Sequence, residues 1–369
     1  MRIAMIGQRG LPATYGGVER HVEELSTRLA ARGHEVMVFC RRDYAEAAPD
    51  EVDGVHLSYP PTISSKHLEA FVHSGIAAAL TIGQGFDIVH FHALGPGVWT
   101  PVPRFLTRAR VVQTIHGLDY QRDKWGGPAK LVLRAGQTIS RIVPDAVIVV
   151  GHYLLDLYRG RRHLTVHVPN GVTLPPRGND SILDRLGIES GSYALFVGRL
   201  TPEKAVDQLI RAFRRVPGDH RLVVAGGSSF TDGYEAEIKE LAAMDDRVIL
   251  CGYVYGGDLA ALYANTALYV QPSLVEGVPL TVLEAAAQGI PLVLSDIPAH
   301  REVVPSSRPG GRLFQAADED SLALALSRAL SAEATERSAA QLEAEAIKRR
   351  FSWDNAADLT ESVYRQLVS

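Results

Sequence analysis

Short apolar runs rich in β-branched residues alternate with helical patterns along nearly the whole chain of 369 residues. The first run, "RIAMIG", is followed by Val18, Val22, Leu25 and Leu29, whose spacings of three and four residues mark one face of a helix. Near-continuous apolar strands that alternate with helices form parallel sheets with both faces covered. The sequence therefore predicts an α/β fold built on parallel sheets.

The alternation pauses once, at "VPNGVTLPPRGND" (168–180), and restarts at "YALFVGRL". A stretch rich in Pro, Gly and Asn is typical of a connection between domains. The length of the chain also favours two domains over one. We therefore expect two doubly wound, Rossmann-like domains that meet near residue 172, followed by an amphipathic helix that Ser352 caps.

Cysteine content and the N-terminus indicate the compartment. Cys40 and Cys251 are the only cysteines and lie far apart, so neither a disulfide framework nor a zinc ribbon is expected. The chain begins directly with a strand, "MRIAMIG", which does not resemble a signal peptide. No apolar run approaches the roughly 18 residues of a membrane span. We expect a cytoplasmic protein, with peripheral association at the inner membrane face left open.

Ligands of open α/β sheets bind at the carboxyl ends of the strands, so the strand-to-helix junctions are the candidate sites. In the first junction Gly16 and Gly17 precede a helix, where they allow a close backbone approach and free N–H groups for an anion. Ala13 replaces the third glycine of the dinucleotide fingerprint, and Arg41 and Arg42 follow the second strand. A nicotinamide enzyme is therefore disfavoured, and a turn without a ligand stays open.

Histidines mark the ends of two later strands of the first half. His90 and His92 lie in "DIVHFH" and share a face because they are two residues apart, and His116 ends "VVQTIH", three residues before Asp119. These three histidines suit a metal by type, but no cysteine or carboxylate set completes the ligands, so we expect none. His116 is the strongest polar candidate, whereas His92 is either structural or in contact with a sugar or an acceptor.

Two cations follow the first strand of the second half, in "FVGRLTPEK". Arg199 can grip two oxygens of a diphosphate, and Lys204 adds a compact charge. The alternative is that both cations are solvated turn residues.

The matching junction further along is "SLVEGVPLTVLEAAAQGIP" (273–291). The helix is predicted to begin near Thr281. The amides of Gly277, Val278 and Leu280 are therefore placed to receive phosphate oxygens at its positive end, whereas Pro279 has no N–H.

A glutamate stands on each side of this turn. Glu284 lies about one helical turn in, where a carboxylate can accept both hydroxyls of a ribose. Glu276 precedes the turn, on the side expected for the sugar. The alternative is a capping arrangement with a solvated helix glutamate.

Taken in order, these segments resemble the family-4 retaining glycosyltransferases. The matching pieces are "YGGVERHVEEL", "HFHA", "TIHGLD", "VPNGV", "VGRLTPEK" and "PSLVEGVPLTVLEAAAQGIPLV", and they cover nearly the whole chain. "MIGQRGLPATYGGVE" and "DYQRDKW" are similar to a subgroup that includes bacterial rhamnosyltransferases. The resemblance implies a GT-B fold, with two Rossmann-like domains that face each other across a cleft. It assigns residues 1–172 and a returning helix, 352–369, to the acceptor-side domain and residues 173–351 to the donor domain.

The resemblance also implies roles for the candidate residues. Arg199 and Lys204 would bind the donor diphosphate, and Gly17, beside Gly16, would bring backbone to the phosphates. Glu284 would hold the ribose and Glu276 the sugar hydroxyls. The remaining positions are His116 at the sugar or leaving group, with His92 and Asp119 on the acceptor side. Such enzymes need no metal or other cofactor, and the catalytic set would be His116, Glu276, Arg199 and Lys204.

The predicted function is transfer of a hexosyl or deoxyhexosyl group from a nucleotide diphosphate sugar to an acceptor, with retention of configuration. The acceptor would be a glycan, a lipid-linked intermediate or another small molecule, in polysaccharide or related biosynthesis. The alternatives are a sugar-nucleotide epimerase or hydrolase of the same fold, and a non-catalytic glycan-binding protein. A nucleic-acid partner is disfavoured by the formal net charge of −4 and by the absence of a recognisable binding motif.

One basic segment bears on the acceptor. "YQRDKWGGPAKLVLRAGQTISRIV" (120–143) combines cations such as Arg122, Lys124 and Arg134 with Trp125 and leucines. It is interpreted either as a surface that contacts anionic lipid or as a helix with solvated cations.

Overall fold

The computed structural model describes residues 1–14, 16–44, 48–63, 69–121, 127–159, 163–174, 176, 178–228 and 231–369. The chain divides into two compact units, one of Met1–Gly171 with Ser352–Ser369 and one of Val172–Phe351. The sequence placed the first boundary one residue later, after Val172. Of the basic segment, Arg122, Lys124 and Trp125 lie outside the described residues.

The first unit is built on an eight-stranded sheet in the order β3-β4-β2-β1-β5-β6-β7-β8. All pairings are parallel except that of β3 with β4 at one edge. Sequence reasoning predicted the parallel strands but not the two-residue antiparallel edge strand. The strands are β1 (Arg2–Ile6), β2 (Glu35–Phe39), β3 (Glu51–Val52), β4 (Val55–Ser58), β5 (Ile88–His92), β6 (Arg110–Ile115), β7 (Ala146–Val149) and β8 (Leu164–His167).

The helices of this unit cover both faces of the sheet's apolar strands. The helices are α1 (Gly17–Ala31), α2 (Glu69–Leu80), α3 (Leu94–Gly97), α4 (Pro101–Leu106), α5 (Gly127–Ser140), α6 (Leu155–Tyr158) and the C-terminal helix, Trp353–Val368.

The C-terminal helix packs against α1, within the first unit. Ser352 caps it by accepting a hydrogen bond from the amide of Asn355, as the sequence predicted. Arg28 of α1 is paired with Asp354 at 2.7 Å and Arg32 with Asp358 at 2.7 Å. The last segment of the chain is thus fixed to the first by buried aromatic side chains and by ion pairs along one helix face.

The second unit is built on a six-stranded parallel sheet in the order β11-β10-β9-β12-β13-β14. Its strands are β9 (Tyr193–Val197), β10 (Arg221–Ala225), β11 (Val248–Gly252), β12 (Leu268–Gln271), β13 (Leu292–Ser295) and β14 (Gly311–Phe314). Its helices are α7 (Ser181–Leu186), α8 (Val206–Phe213), α9 (Asp232–Ala242), α10 (Gly256–Asn265), α11 (Leu280–Ala287), α12 (Pro298–Arg301), α13 (Glu319–Ser331) and α14 (Glu333–Arg350). The C-terminal helix of the first unit is α15.

Each unit has its own apolar core. In the second unit, buried residues of β9, β10 and β12 pack against α8 and α13, with Phe196 and Phe213 fully buried. In the first unit, one cluster lies under α2 and a second under α5 and α6. Two α/β units on parallel sheets confirm the predicted fold class. Among the described residues, no helix is both long and apolar enough to cross a membrane.

Candidate functional site

The polar residues singled out in the second half come together at the carboxyl ends of β9 and β12. These two strands are neighbours in the sheet, and parallel neighbours end at the same edge. Lys204 lies in the turn Pro202–Lys204 after β9, and Glu276 lies in the loop after β12. The Lys204 ammonium contacts Oε1 of Glu276. The side chains are only 13% and 8% exposed, so this ion pair is largely shielded from water.

Oε1 of Glu276 accepts further hydrogen bonds from the strand below it. The Ser273 hydroxyl donates to it at 2.8 Å and the Gln271 amide at 3.3 Å. Gln271 also donates to Ser273 at 2.7 Å and accepts from the Tyr269 hydroxyl at 2.6 Å. The carboxylate is therefore fixed in orientation by a network that begins inside the sheet.

This environment keeps Glu276 ionised. Burial alone would raise the pKa of its carboxyl group, but the charge and hydrogen bond of Lys204 outweigh burial and lower that pKa to about 2. His300, whose Nδ1 donates to the carbonyl of Ser295 at 2.8 Å, behaves differently. Burial lowers the pKa of His300 to about 4, although the charge of Glu276 partly opposes that shift. Near neutral pH the site thus contains a carboxylate and a neutral imidazole.

The turn after Glu276 leads into α11, which begins at Leu280, one residue before the expected start at Thr281. Gly277 and Val278 are buried in that turn. The amides of Leu280 and Thr281 belong to the first turn of the helix, where N–H groups lack carbonyl partners within the helix. The Thr281 hydroxyl donates to the Tyr269 oxygen at 2.9 Å. Hydroxyl and amide groups therefore line the positive end of α11.

Glu284 lies one turn into α11, as predicted. Its Oε2 accepts a hydrogen bond from the Tyr263 hydroxyl at 3.1 Å. Burial, followed by the charge of Glu284, raises the pKa of Tyr263 well above its usual value, so Tyr263 remains a donor and holds the carboxylate in place. Arg199 follows β9 by two residues and is half-buried.

A second cluster forms at the carboxyl ends of β5 and β6, in the first unit. His92 ends β5, and His116 directly follows β6. The Nδ1 of His92 lies 3.3 Å from the Nε2 of His116. The rings are stacked, with centroids 5.5 Å apart. The structure thus brings two of the predicted site residues of this unit into contact.

Sequence reasoning missed His21, which belongs to the same cluster. Its ring centroid lies 4.6 Å from that of His116 and 5.5 Å from that of His92. Its Nδ1 lies 3.0 Å from Oδ1 of Asn170. The available signal was its position in "YGGVERH", one turn after the start of α1 at Gly17, which turns the side chain towards the strand ends.

His90 does not join this cluster, although its ring lies 4.3 Å from that of His92 as their shared strand face predicts. Its two nitrogens contact the Tyr364 hydroxyl at 2.5 Å and the Thr114 hydroxyl at 2.7 Å. His90 therefore links the sheet to α15. The sequence suggested one possible group of metal ligands, His90, His92 and His116. In the structure the histidines close enough to share an ion are instead His21, His92 and His116.

Burial keeps the imidazoles of His21, His90 and His92 uncharged. It lowers the pKa of His21 to about 4, a shift that the hydrogen bond of Asn170 partly offsets. Burial also lowers the pKa of His90 and of His92 well below the usual value, and neighbouring histidines add to the effect. Neutral rings in water-excluded surroundings can donate to a ligand from one nitrogen and accept at the other.

The entry to α1 depends on Gly16. This residue has a φ of 104°, and a Cβ there would lie 2.0 Å from Oε2 of Glu19. Glu19 in turn accepts a hydrogen bond from the amide of Arg9 at 3.2 Å. Only glycine satisfies both the backbone angle and the space. Asp119 lies in the turn Asp119–Gln121, and its side chain is outside the described part of the structure.

Residues 15–174 match the family described as Glycosyltransferase Family 4, and residues 180–349 match Glycosyl transferases group 1. The D-inositol 3-phosphate glycosyltransferase of Xylanimonas cellulosilytica is 30% identical over 390 residues, which cover 95% of this chain and 92% of that one.

Two solved structures share the fold. Sucrose-phosphate synthase from Thermosynechococcus elongatus has a TM-score of 0.83 at 23% identity, over 99% of this chain and 98% of that one. Anabaena Alr3699/HepE in complex with UDP-glucose has a TM-score of 0.80 at 18% identity, over 100% and 99%.

The fold and the two family matches define a glycosyltransferase of the GT-B class. The chain belongs to the family-4 glycosyltransferases, as its sequence motifs predicted. It is accordingly an enzyme that transfers a sugar from a nucleotide sugar.

The environment of Glu276 predicts a specific pH dependence of stability. The pKa of the Glu276 carboxyl group is about 2 in the folded state and 4.5 in the unfolded state. As the pH falls, the unfolded chain therefore binds a proton at this group before the folded chain does. The stabilisation is therefore present above about pH 4.5 and is lost as the pH falls towards 2, by at most about 1.4 kcal/mol per pH unit. Denaturant unfolding of wild type and Glu276→Gln between pH 6 and 3 should show their difference in unfolding free energy shrinking as the pH falls.

The matched control is Glu240→Gln, at an exposed position of the same unit. The difference in unfolding free energy between wild type and Glu240→Gln should not shrink over this pH range as the difference for Glu276→Gln does. A wild-type advantage over Glu276→Gln that stays constant down to pH 3 would contradict the ionised, paired state of Glu276.

Proposed function

We propose that this enzyme transfers a sugar from a nucleotide diphosphate sugar with retention of anomeric configuration and without a metal cofactor. The observation that carries the proposal is the buried pair of Lys204 and Glu276 beside the N-terminus of α11. The ammonium group of Lys204 can bind a diphosphate. The adjacent carboxylate of Glu276 can accept a hydrogen bond from a sugar hydroxyl. The relative with UDP-glucose bound makes a UDP-sugar the first donor to test.

The diphosphate is assigned to Arg199, Lys204 and the first amides of α11. Lys204 has three N–H donors, so it can bind a phosphate oxygen while it remains in contact with Glu276. Arg199 and the helix end add further donors and positive potential. Together these groups stabilise the negative charge that develops on the departing phosphate. This charge compensation by side chains supports transfer without a metal.

The ribose and the donor sugar are assigned to the two glutamates. Glu284, held by Tyr263, is placed to accept from the ribose hydroxyls. Glu276 accepts at Oε1 from Lys204, Ser273 and Gln271, and this oriented carboxylate is assigned to a hydroxyl of the donor sugar. His116 is assigned to the sugar or leaving group, and His92 and Asp119 to the acceptor side.

The same environment argues against Glu276 as a covalent nucleophile. Retaining glycosidases use a carboxylate that attacks the anomeric carbon. A carboxylate with a pKa near 2 that already accepts several hydrogen bonds is a poor nucleophile. We therefore propose attack from the same face. The bond from the anomeric carbon to the phosphate oxygen breaks, the bond to the acceptor oxygen forms on that face, and the departing phosphate oxygen takes the acceptor's proton.

The donor site is tested by Lys204→Ala, Arg199→Ala and Glu276→Gln, with UDP-glucose and a panel of other nucleotide sugars. The first two variants should each lower the rate of transfer about 10²-fold or more, because they remove a group that stabilises phosphate charge. Glu276→Gln should also cut transfer sharply. Rates are measured as glycoside formed, the anomer is assigned by NMR, and EDTA should not lower the rate.

The matched control is Lys239→Ala, which removes an exposed lysine from α9 of the same unit. It should transfer sugar at the wild-type rate. Near-normal rates in Lys204→Ala and Arg199→Ala would contradict their assigned role. Release of nucleotide without a glycoside product would instead favour the epimerase or hydrolase alternative.

For the acceptor, we propose a lipid-linked substrate reached at an anionic membrane surface. α5 exposes Leu131, which is 70% accessible, and Val132, next to the exposed Arg134. An apolar side chain beside a cation suits the interface of an anionic bilayer, where each cation contributes about 1 kcal/mol. This surface belongs to the unit that carries the proposed acceptor residues His92 and Asp119.

Flotation with vesicles tests this contact. Wild type should float with vesicles that contain phosphatidylglycerol, less at high salt, and not with neutral phosphatidylcholine vesicles. The double variant Leu131→Ser/Arg134→Glu should lose flotation, whereas Leu342→Ser, at an exposed leucine of α14, should keep it. Flotation that is absent, or equal for both variants, would refute the membrane contact and leave a soluble acceptor.

A further inference from the structure

Three histidines from separate elements of the first unit converge in space. His21 lies on α1, His92 ends β5 and His116 follows β6. One nitrogen from each ring lies within 4.8 Å of the other two. His21 and His92 are 3% and 0% exposed. A cluster of three imidazoles is not required for a sugar contact, which a single histidine can supply.

The hydrogen bond of His21 fixes the tautomer of its ring. Oδ1 of Asn170 can only accept, so the Nδ1 of His21, 3.0 Å away, carries the proton. The Nε2 of His21 then holds a lone pair. Within the described residues, this Nε2 is buried without a hydrogen-bond partner. An imidazole whose other nitrogen is tethered to a carbonyl oxygen is the usual form of a metal-binding histidine.

The distances suit a small tetrahedral ion. Two imidazole nitrogens bound to one zinc ion at 2.0–2.1 Å lie about 3.4 Å apart. The Nδ1 of His92 and the Nε2 of His116 are 3.3 Å apart. The widest separation in the cluster, 4.8 Å, is larger, so a rotation of the rings must accompany binding. The three rings already contact one another.

We propose that His21, His92 and His116 form a binding site for a zinc ion with an open fourth position. Three histidines with a fourth site for water or a substrate oxygen are an established zinc arrangement. The positive N-terminal end of α1 lies one turn from His21 and disfavours a bare dication. The fourth ligand is therefore expected to be an anion such as hydroxide. Asn170 acts as a positioning residue, because it orients His21 without touching the ion.

The proposed ion inhibits the enzyme, and this consequence alone rests on the function proposed above. His116 and His92 are assigned there to substrate contacts, which a bound zinc ion would block. Zinc would thus act as an inhibitor that competes with substrate, in an enzyme that needs no metal for transfer. Binding of the ion itself depends only on the three imidazoles and can be measured without any sugar.

The test uses the full chain without a polyhistidine tag, freed of metal by a chelator that is then removed. Zn²⁺ is titrated by calorimetry, and Co²⁺ is added separately as a spectroscopic probe of coordination. Wild type should bind one Zn²⁺ per chain, and the Co²⁺ form should show the visible absorption of a tetrahedral site. His92→Ala and His21→Ala should lose both signals, whereas His56→Ala, at an exposed histidine of the same unit, should keep both.

Asn170→Ala provides a variant in which all three ligands are retained. It should weaken Zn²⁺ binding about 10–100-fold, the usual effect of removing a partner that orients a ligand. Circular dichroism checks that each variant is folded. If a variant that lacks a ligand histidine does not fold, the Zn²⁺ affinity of Asn170→Ala tests the proposal instead. The proposal is overturned if wild type binds no stoichiometric Zn²⁺, or if folded His21→Ala and Asn170→Ala bind it as wild type does.

Discussion

Parallel pairing of strands is the constraint on which the rest of the structure depends. Parallel neighbours end at one edge of the sheet, so the loops after them are brought together whatever their distance in sequence. Lys204 and Glu276 meet in this way after β9 and β12, and His92 and His116 after β5 and β6. Each unit thereby gains a polar site above an apolar sheet.

The two sites differ in charge because burial is compensated differently in each. In the second unit a buried carboxylate is stabilised by a buried ammonium, and it stays ionised. In the first unit the buried imidazoles have no described carboxylate partner, and they become neutral instead. A charged cluster and an uncharged cluster thus arise from the same kind of strand edge.

The sequence was sufficient to predict the fold and to single out most residues of the two strand-end clusters, because each depends on local patterns. Apolar strands, helical spacing and the turn before α11 could all be seen along the chain. The ion pair between Glu276 and Lys204 could not be seen along the chain, because 72 residues separate the two. His21 was missed for a similar reason, because nothing local to α1 shows that its ring contacts His116. The choice of His90 over His21 assumed that a shared strand face decides contacts, whereas α15 engages His90 through Tyr364.

The central claim is that Glu276 binds the donor sugar as a stable carboxylate and does not become glycosylated. Mass spectrometry of the enzyme, quenched with acid during turnover of a nucleotide sugar, tests this most directly. The account predicts an unmodified peptide containing Glu276, in reactions that yield a product of retained configuration. A glycosyl adduct on Glu276, formed and consumed at the rate of turnover, would contradict it.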